Sequence, residues 1–159
     1  MDVALRRVAV SLPKTQLLVY LRADVRRALD GAAELIPRYH ASLTDEARRI
    51  VDSDSTRSFE IGLIGRRVVE FVVDDLLSKP KTSPDLAKKI DDLAEIGVAP
   101  WIRGYMHTLR ILGNESAHEK SSDGRVPPNV SEQDLPVSLF CLQRVIEFWR
   151  QYRRASNAL

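Results

Sequence analysis

A chain of 159 residues suits one domain, long enough to bury a full hydrophobic core. Its 44% hydrophobic and 29% charged residues are typical of a globular protein, and the scarcity of aromatics favours helix over sheet. A formal net charge of +2 gives no global field that would attract nucleic acid, and the single cysteine, Cys141, excludes a disulfide framework.

The N-terminal residues 1–12 are weakly apolar and predict an extended arm or a frayed helix, ahead of one domain whose core spans about 14–154. Arg6 and Arg7 interrupt this stretch, so it lacks the apolar core of a signal peptide. No run approaches the ~18 consecutive apolar residues of a membrane-spanning helix. Together with the lone cysteine, these features predict a cytoplasmic protein without a membrane partner.

Two helices are predicted in the first third of the chain. From Lys14 to about Ile36, apolar residues recur at steps of three and four, which indicates a long amphipathic helix that Pro37 ends or kinks. Thr44, followed by two acidic residues, predicts the N-cap of a short helix that runs to about Val51.

The middle of the chain predicts a long helix and a short one. The long helix spans residues 58–78 and is apolar on more than one side, which predicts a place at the centre of the bundle. After a loop, Ser83 and Pro84 predict the start of the short helix, which runs to about Glu95 and stops at Gly97.

The last third predicts two more helices separated by a loop. Pro100 opens the first, and the polar stretch 118–130 is the loop. Ser131 and Asp134 have the spacing of a capping box and start the final helix, which runs to about Arg153. The chain is therefore predicted to be all-α, an antiparallel bundle of five to seven helices.

A polar stripe follows one face of the helix that begins at Pro100. It consists of Arg103, His107, Arg110, Asn114 and His118. Residues three and four apart lie on one face of a helix, so these five side chains are neighbours. Gly113 lies in the middle, where a Gly costs about 1 kcal/mol relative to Ala. It marks either the end of the helix or a place where another backbone comes close.

Residues 109–119, LRILGNESAHE, resemble the "lR.iGN.aaH" signature of the bacterial domain of unknown function 4145. Residues 65–77 and 86–100 are similar to that family's upstream and middle segments, so the resemblance covers roughly residues 55–120. The family is similar in layout to the HEPN superfamily, which consists of helical domains of prokaryotic defence and toxin systems. The resemblance therefore implies a HEPN-like fold.

Many HEPN proteins are metal-independent RNases whose motif, an Arg, a polar residue and a His a few residues later, lies at a dimer interface. This sequence departs from the motif, because Gly113 precedes Asn114 where an active HEPN enzyme has Arg. We therefore predict a non-catalytic interaction or regulatory module of a bacterial defence or conflict system. The resemblance and a second apolar face on the last two helices predict a homodimer, and RNA, a partner protein and a fused effector domain are further predicted partners.

Two other functions stay open. In a HEPN-type endoribonuclease, His118 would move the 2′-OH proton, Asn114 would orient it or the ribose, and Arg110 would hold the phosphate. In an RNA-binding accessory domain, the whole stripe would form a binding groove without chemistry. Neither function needs a metal or a cofactor, and the sequence has no CxxC, HExxH or glycine-rich phosphate loop.

The same region also has a structural interpretation, in which Asn114 and His118 hydrogen-bond buried backbone groups where the helix meets the following loop. Glu70 lies on the helix predicted to be the most buried, where a carboxylate has to be paired. Arg66, four residues earlier, and Arg110, from the neighbouring helix, are its candidate partners. Gly113 would then be small to let that helix approach.

Overall fold

The computed structural model describes residues 14–36, 40–53, 57–77, 85–119 and 130–157. These residues contain no strand and form six helices packed together, which confirms the all-α prediction. The helices are α1 (Lys14–Ala32), α2 (Ala41–Asp52), α3 (Ser58–Leu77), α4 (Leu86–Asp92), α5 (Pro100–Glu119) and α6 (Leu135–Asn157). Short 3₁₀ turns follow α1 and α4 and precede α6.

Some sequence predictions fall outside these ranges. These predictions are the arm at residues 1–12, the helix stop at Pro37, the helix start at Ser83–Pro84 and residues 120–129 of the last loop. Among the described helices, none is both long enough and apolar enough to cross a membrane.

Several helix ends lie where the sequence places them. Gly97 ends the 3₁₀ turn after α4 in a left-handed conformation, with φ of 81°, which a residue with a side chain rarely adopts. Pro100 is the first residue of α5. Ser131 and Asp134 form the predicted capping box, in which Ser131 N donates to Asp134 Oδ2 at 2.7 Å.

Two predicted helix starts need correction. The N-cap of α2 is His40, not Thr44, which lies inside the helix with its side chain buried. Packing against the core, rather than capping, therefore accounts for Thr44. Asp85 caps α4, because its carboxylate accepts a hydrogen bond from Ala87 N at 2.9 Å. At the other end of the chain, α6 continues past the predicted stop to Asn157.

Helix α3 lies at the centre of the bundle, as its sequence predicts, and packs against α2, α5 and α6. Helix α1 covers α6 and α2, and α4 packs on α5. The apolar residues of α3 are buried on more than one side, which follows from its several neighbours. They are Ile61, Ile64, Val68, Val69, Val72, Val73 and Leu76.

Glycines allow α3 and α5 to come unusually close. A Cβ atom added to Gly113 would lie 2.5 Å from Arg66 Cβ and 2.7 Å from the carbonyl oxygen of Gly62. A Cβ on Gly65 would lie 2.8 Å from Leu109 Cδ2. Since α5 continues through Gly113 to Glu119, this residue is not a helix end, and the prediction that another backbone comes close there is confirmed.

The same contacts give the relative direction of the two helices. Gly62 lies against Leu112 and Ser116, whereas Gly65, almost one turn further along α3, lies against Leu109, about one turn earlier in α5. The two helices therefore run antiparallel.

We predict that Gly113→Ala destabilises the fold although alanine is the better helix former. Its added methyl group meets backbone that cannot move independently, and overpacking of this kind costs about 1–3 kcal/mol. Gly104 is the matched control on the same helix, because nothing lies within 4 Å of an added Cβ there. Gly104→Ala should therefore stabilise the protein by up to about 1 kcal/mol.

Urea unfolding of the two variants followed by circular dichroism measures both changes. A Gly113→Ala protein as stable as the Gly104→Ala protein would contradict the close helix contact.

Candidate functional site

The N-terminal half of the polar stripe on α5 is held by bonds inside the protein. Arg103 Nε donates to the carbonyl oxygen of Val98 at 3.3 Å, just before the helix begins. His107 Nε2 lies 2.9 Å from Asp91 Oδ1 of α4, which ties the two helices together. These two side chains therefore have partners within the protein.

Arg110 and Asn114 differ from them. The Nε atom of Arg110 is buried and makes no hydrogen bond, and no residue in the described ranges forms an ion pair with its guanidinium. The side chain of Asn114 is half-buried and bonds none of the described residues. His118 lies in the last turn of α5, but its side chain is outside the part of the chain that the structure describes.

The prediction that Glu70 is a buried, cross-linked carboxylate is wrong. Its side chain is 44% exposed and bonds Arg66 on the same helix at 3.1 Å, one of the two partners that the sequence suggests. Arg110, the other suggested partner, forms no ion pair with it. Arg66 lies beside Gly113, and its pair with the half-exposed Glu70 is a surface salt bridge.

The carboxylate that is buried and bonded across helices, as was expected of Glu70, is Asp75, five residues further along α3. Its side chain is only 13% exposed and accepts a hydrogen bond from Trp149 Nε1 at 2.7 Å. Arg153 forms an ion pair with its second carboxylate oxygen. This buried network anchors α6 to α3, and Phe71 packs edge-on against Trp149 in the same region, with 5.4 Å between ring centroids.

The described residues hold neither a reactive cysteine nor a cluster of metal ligands. Burial raises the pKa of the Cys141 thiol to about 11, so it stays protonated and unreactive near neutral pH. In the described ranges, no three His, Cys, Asp or Glu side chains converge on one point.

A partly exposed apolar surface lies where α5 and α6 meet, and we call it the α5/α6 face. It consists of Trp101, Tyr105, Val137, Phe140 and Phe148. Trp101 is 63% exposed and Phe140 is 42% exposed. Tyr105 packs edge-on against Phe140, with 5.6 Å between ring centroids, so the two helices present one surface.

A groove of about 270 Å³ crosses this face. Trp101 and Ile102 line one side, and Phe148, Arg144, Glu147 and Gln151 line the other. Arg144 and Glu147 are the charged groups of this lining, and they lie 3.9 Å apart at the closest. The lining of the groove is therefore mixed, with apolar and polar side chains and one charged group of each sign.

A sequence model of the family described as Domain of unknown function (DUF4145) matches residues 45–154. The chain belongs to this family. The match spans α3 to α6 and most of α2, so it includes both the polar stripe and the α5/α6 face. No curated protein and no solved structure is significantly similar to the chain.

Sequence reasoning expected a second apolar face on this DUF4145 domain but did not find its residues. Trp101 and Tyr105 lie four residues apart and just off the buried stripe of α5, which contains Ile102, Met106 and Leu109. A pair of aromatic residues beside a complete core stripe is the signal that could have identified them.

We predict that Asp75→Ala destabilises the protein far more than Glu70→Ala. Removing Asp75 leaves a buried indole N–H and a guanidinium without their acceptor, which costs about 3 kcal/mol. Glu70 forms an exposed pair within one helix, worth at most about 0.5 kcal/mol. Denaturant unfolding of both variants tests the assignment, and equal losses of stability would show that the buried network is not where the structure has it.

Proposed function

We propose that this DUF4145 domain is a non-catalytic interaction module that binds a protein partner through the α5/α6 face. The observation that carries the proposal is Trp101, a large aromatic side chain that is exposed to solvent beside a groove of mixed polar and apolar lining. Trp and Tyr dominate the binding energy of protein interfaces because they bury much area with little loss of conformational freedom. Clusters of exposed apolar residues on a folded domain usually mark a place where another molecule binds.

The polar stripe supports the same proposal. RNA cleavage without a metal needs a base that can reach a 2′-OH group and donors that meet the charge on the phosphate. His107 is already engaged by Asp91, and Arg103 by a backbone carbonyl. Gly113 occupies the place of the Arg that the HEPN motif requires, and its contact with α3 leaves no room there for a side chain.

The cellular setting is part of the proposal and rests on the resemblance to HEPN domains. That resemblance suggests a bacterial defence or conflict system, in which a module of this kind connects to a partner protein or to a fused effector domain. A reducing cytoplasm suits the single buried thiol.

Arg110 favours a second candidate function, RNA binding, with cleavage by a HEPN-type homodimer as its catalytic form. The Arg110 side chain is only half-buried and forms no ion pair with the described residues, so the guanidinium retains its capacity to hold a phosphate. Asn114, one turn later on the same face, offers an amide to a ribose or a base. The net charge of +2 weighs against this candidate, because binding to RNA draws most of its energy from an excess of cations.

We predict that the purified domain does not cleave single-stranded RNA or transfer RNA in the presence of EDTA. Losing one donor to the scissile phosphate typically lowers the rate roughly a hundred- to a thousand-fold. Wild type, His118→Ala and Arg110→Ala are incubated with labelled RNA, and the products are separated on a gel. Cleavage by the wild type that disappears in His118→Ala would establish the endoribonuclease and overturn the non-catalytic assignment.

We also predict that a photoreactive residue at position 101 captures a defined protein partner in the native host. Trp101 is replaced by p-benzoylphenylalanine, which keeps an aromatic ring at the groove, and cells are irradiated before electrophoresis. Ile111 is the matched control, because it lies on the same helix and is 48% exposed but outside the α5/α6 face.

One adduct of discrete mass from position 101, absent from position 111, is the expected result. If neither position gives a discrete adduct, the interaction module is refuted.

A further inference from the structure

We propose that α1 is a detachable helix, which occupies a helix-binding groove on the DUF4145 domain and leaves it while the domain stays folded. The groove lies between α6 and α2, the two helices on which α1 packs. This inference concerns a different surface from the α5/α6 face and goes beyond the proposed function. It adds a second interaction surface, whose occupant is a segment of the same chain.

Helix α1 lies outside the part of the chain that matches the family. The family model begins at residue 45, whereas α1 spans Lys14–Ala32. The close contacts at the centre of the bundle involve no residue of α1, because glycines join α3 to α5, and Asp75 joins α3 to Trp149 of α6. These contacts can therefore persist when α1 is displaced.

The contact of α1 with the domain has the form of an amphipathic helix bound in a groove. Its buried stripe consists of residues that are at most 3% exposed, Val25, Ala28, Leu29 and Ala32. They recur at steps of three and four, the spacing by which a bound helix inserts its anchors into a partner's groove. The ion pair of Arg26 with Asp52 of α2 lies at the half-exposed edge, where such pairs add little.

Two features of this contact weaken the attachment of α1. A largely apolar cavity of about 20 Å³ lies between Leu29 and Ala32 of α1 and the facing helices, so α1 does not fill the groove completely. The atoms around such a void lose the dispersion contacts that close packing would supply.

The second feature is Arg150 of α6. It packs against Gly31 so closely that a side chain at position 31 would collide with its guanidinium. Its Nε is buried and finds no acceptor among the described residues. A buried donor without a partner disfavours the packed state, and displacement of α1 would expose this guanidinium to water.

Thiol labelling under native conditions tests the detachment directly. Ala28→Cys places a thiol on the buried side of α1, at a position that is 1% exposed, and the native Cys141 of α6 is 3% exposed. Cys141 lies about two and a half turns before Arg150, and therefore on the side of α6 away from α1. Each thiol reacts only when its surroundings open, so Cys141 is the internal reference for the domain.

We expect position 28 to be labelled at least about tenfold faster than Cys141 in the same molecules, after correction for the rates in the unfolded chain. Val69→Cys is the control, because Val69 is fully buried on the central helix α3. It should react as slowly as Cys141. Equal rates at positions 28 and 141 would show that α1 opens only when the whole domain unfolds, and would overturn the inference.

A second experiment supplies the helix from outside. Ala28→Asp places a charge in the buried stripe and should expel α1 from its groove, while circular dichroism still shows a folded domain. A fluorescent peptide of residues 14–36 should then bind the Ala28→Asp chain at least about tenfold more tightly than the wild type, whose groove is occupied. The same peptide carrying Ala28→Asp is the control and should bind neither chain. Global unfolding of the Ala28→Asp chain, or equal binding of the wild-type peptide to both chains, would also overturn the inference.

Discussion

The closeness of α3 and α5 is the constraint on which the rest of the structure depends. The two helices meet at three glycines, Gly62, Gly65 and Gly113, which have no side chains. The carbonyl oxygen of Gly62 faces the backbone of Gly113 directly. The distance between two packed helices depends on the side chains at their contact, and glycines allow these two backbones to approach closely. The backbone itself therefore fixes the register of α5 on α3.

This contact also decides what each remaining side of α5 faces. With Gly113 and Leu109 turned toward α3, one edge of the helix meets α4, where His107 bonds Asp91. The other edge meets α6, where Tyr105 packs against Phe140. Helix α5 therefore contacts a neighbouring helix on three sides. The remaining side, near Trp101, is exposed to solvent and is the surface that we propose for binding.

Polar groups in this protein fall into two classes that burial separates. Asp75 is enclosed and bonded by two side chains of α6, so it contributes to the fold, while Glu70 is half-exposed and contributes little. Arg110 belongs to neither class, because its Nε is buried without a partner. A buried donor without a partner costs folding free energy, so the Nε atom of Arg110 does not stabilise the fold.

Local rules in the sequence determined the helices and several of their ends. Apolar spacing at steps of three and four predicts α1, α3 and α6. Gly97 ends the turn before α5, and Pro100 begins that helix. The Ser131–Asp134 capping box precedes α6. These signals act within a few residues, so no tertiary information is needed to use them. The signature around Gly113 likewise led to the family that the sequence match shows.

Only the tertiary structure decided which polar and aromatic side chains face solvent. Glu70 and Asp75 are both acids on the central helix, yet one lies at its rim and the other under Trp149. Thr44 has the sequence of a helix cap but is buried inside α2. Trp101 is a large aromatic residue of the kind often buried in a core, but it is exposed to solvent. The glycine contact with α3 fixes the rotation of α5 about its own axis, and Trp101 then lies on the exposed side. Burial depends on neighbours from distant segments of the chain, and local sequence patterns do not predict how those segments pack.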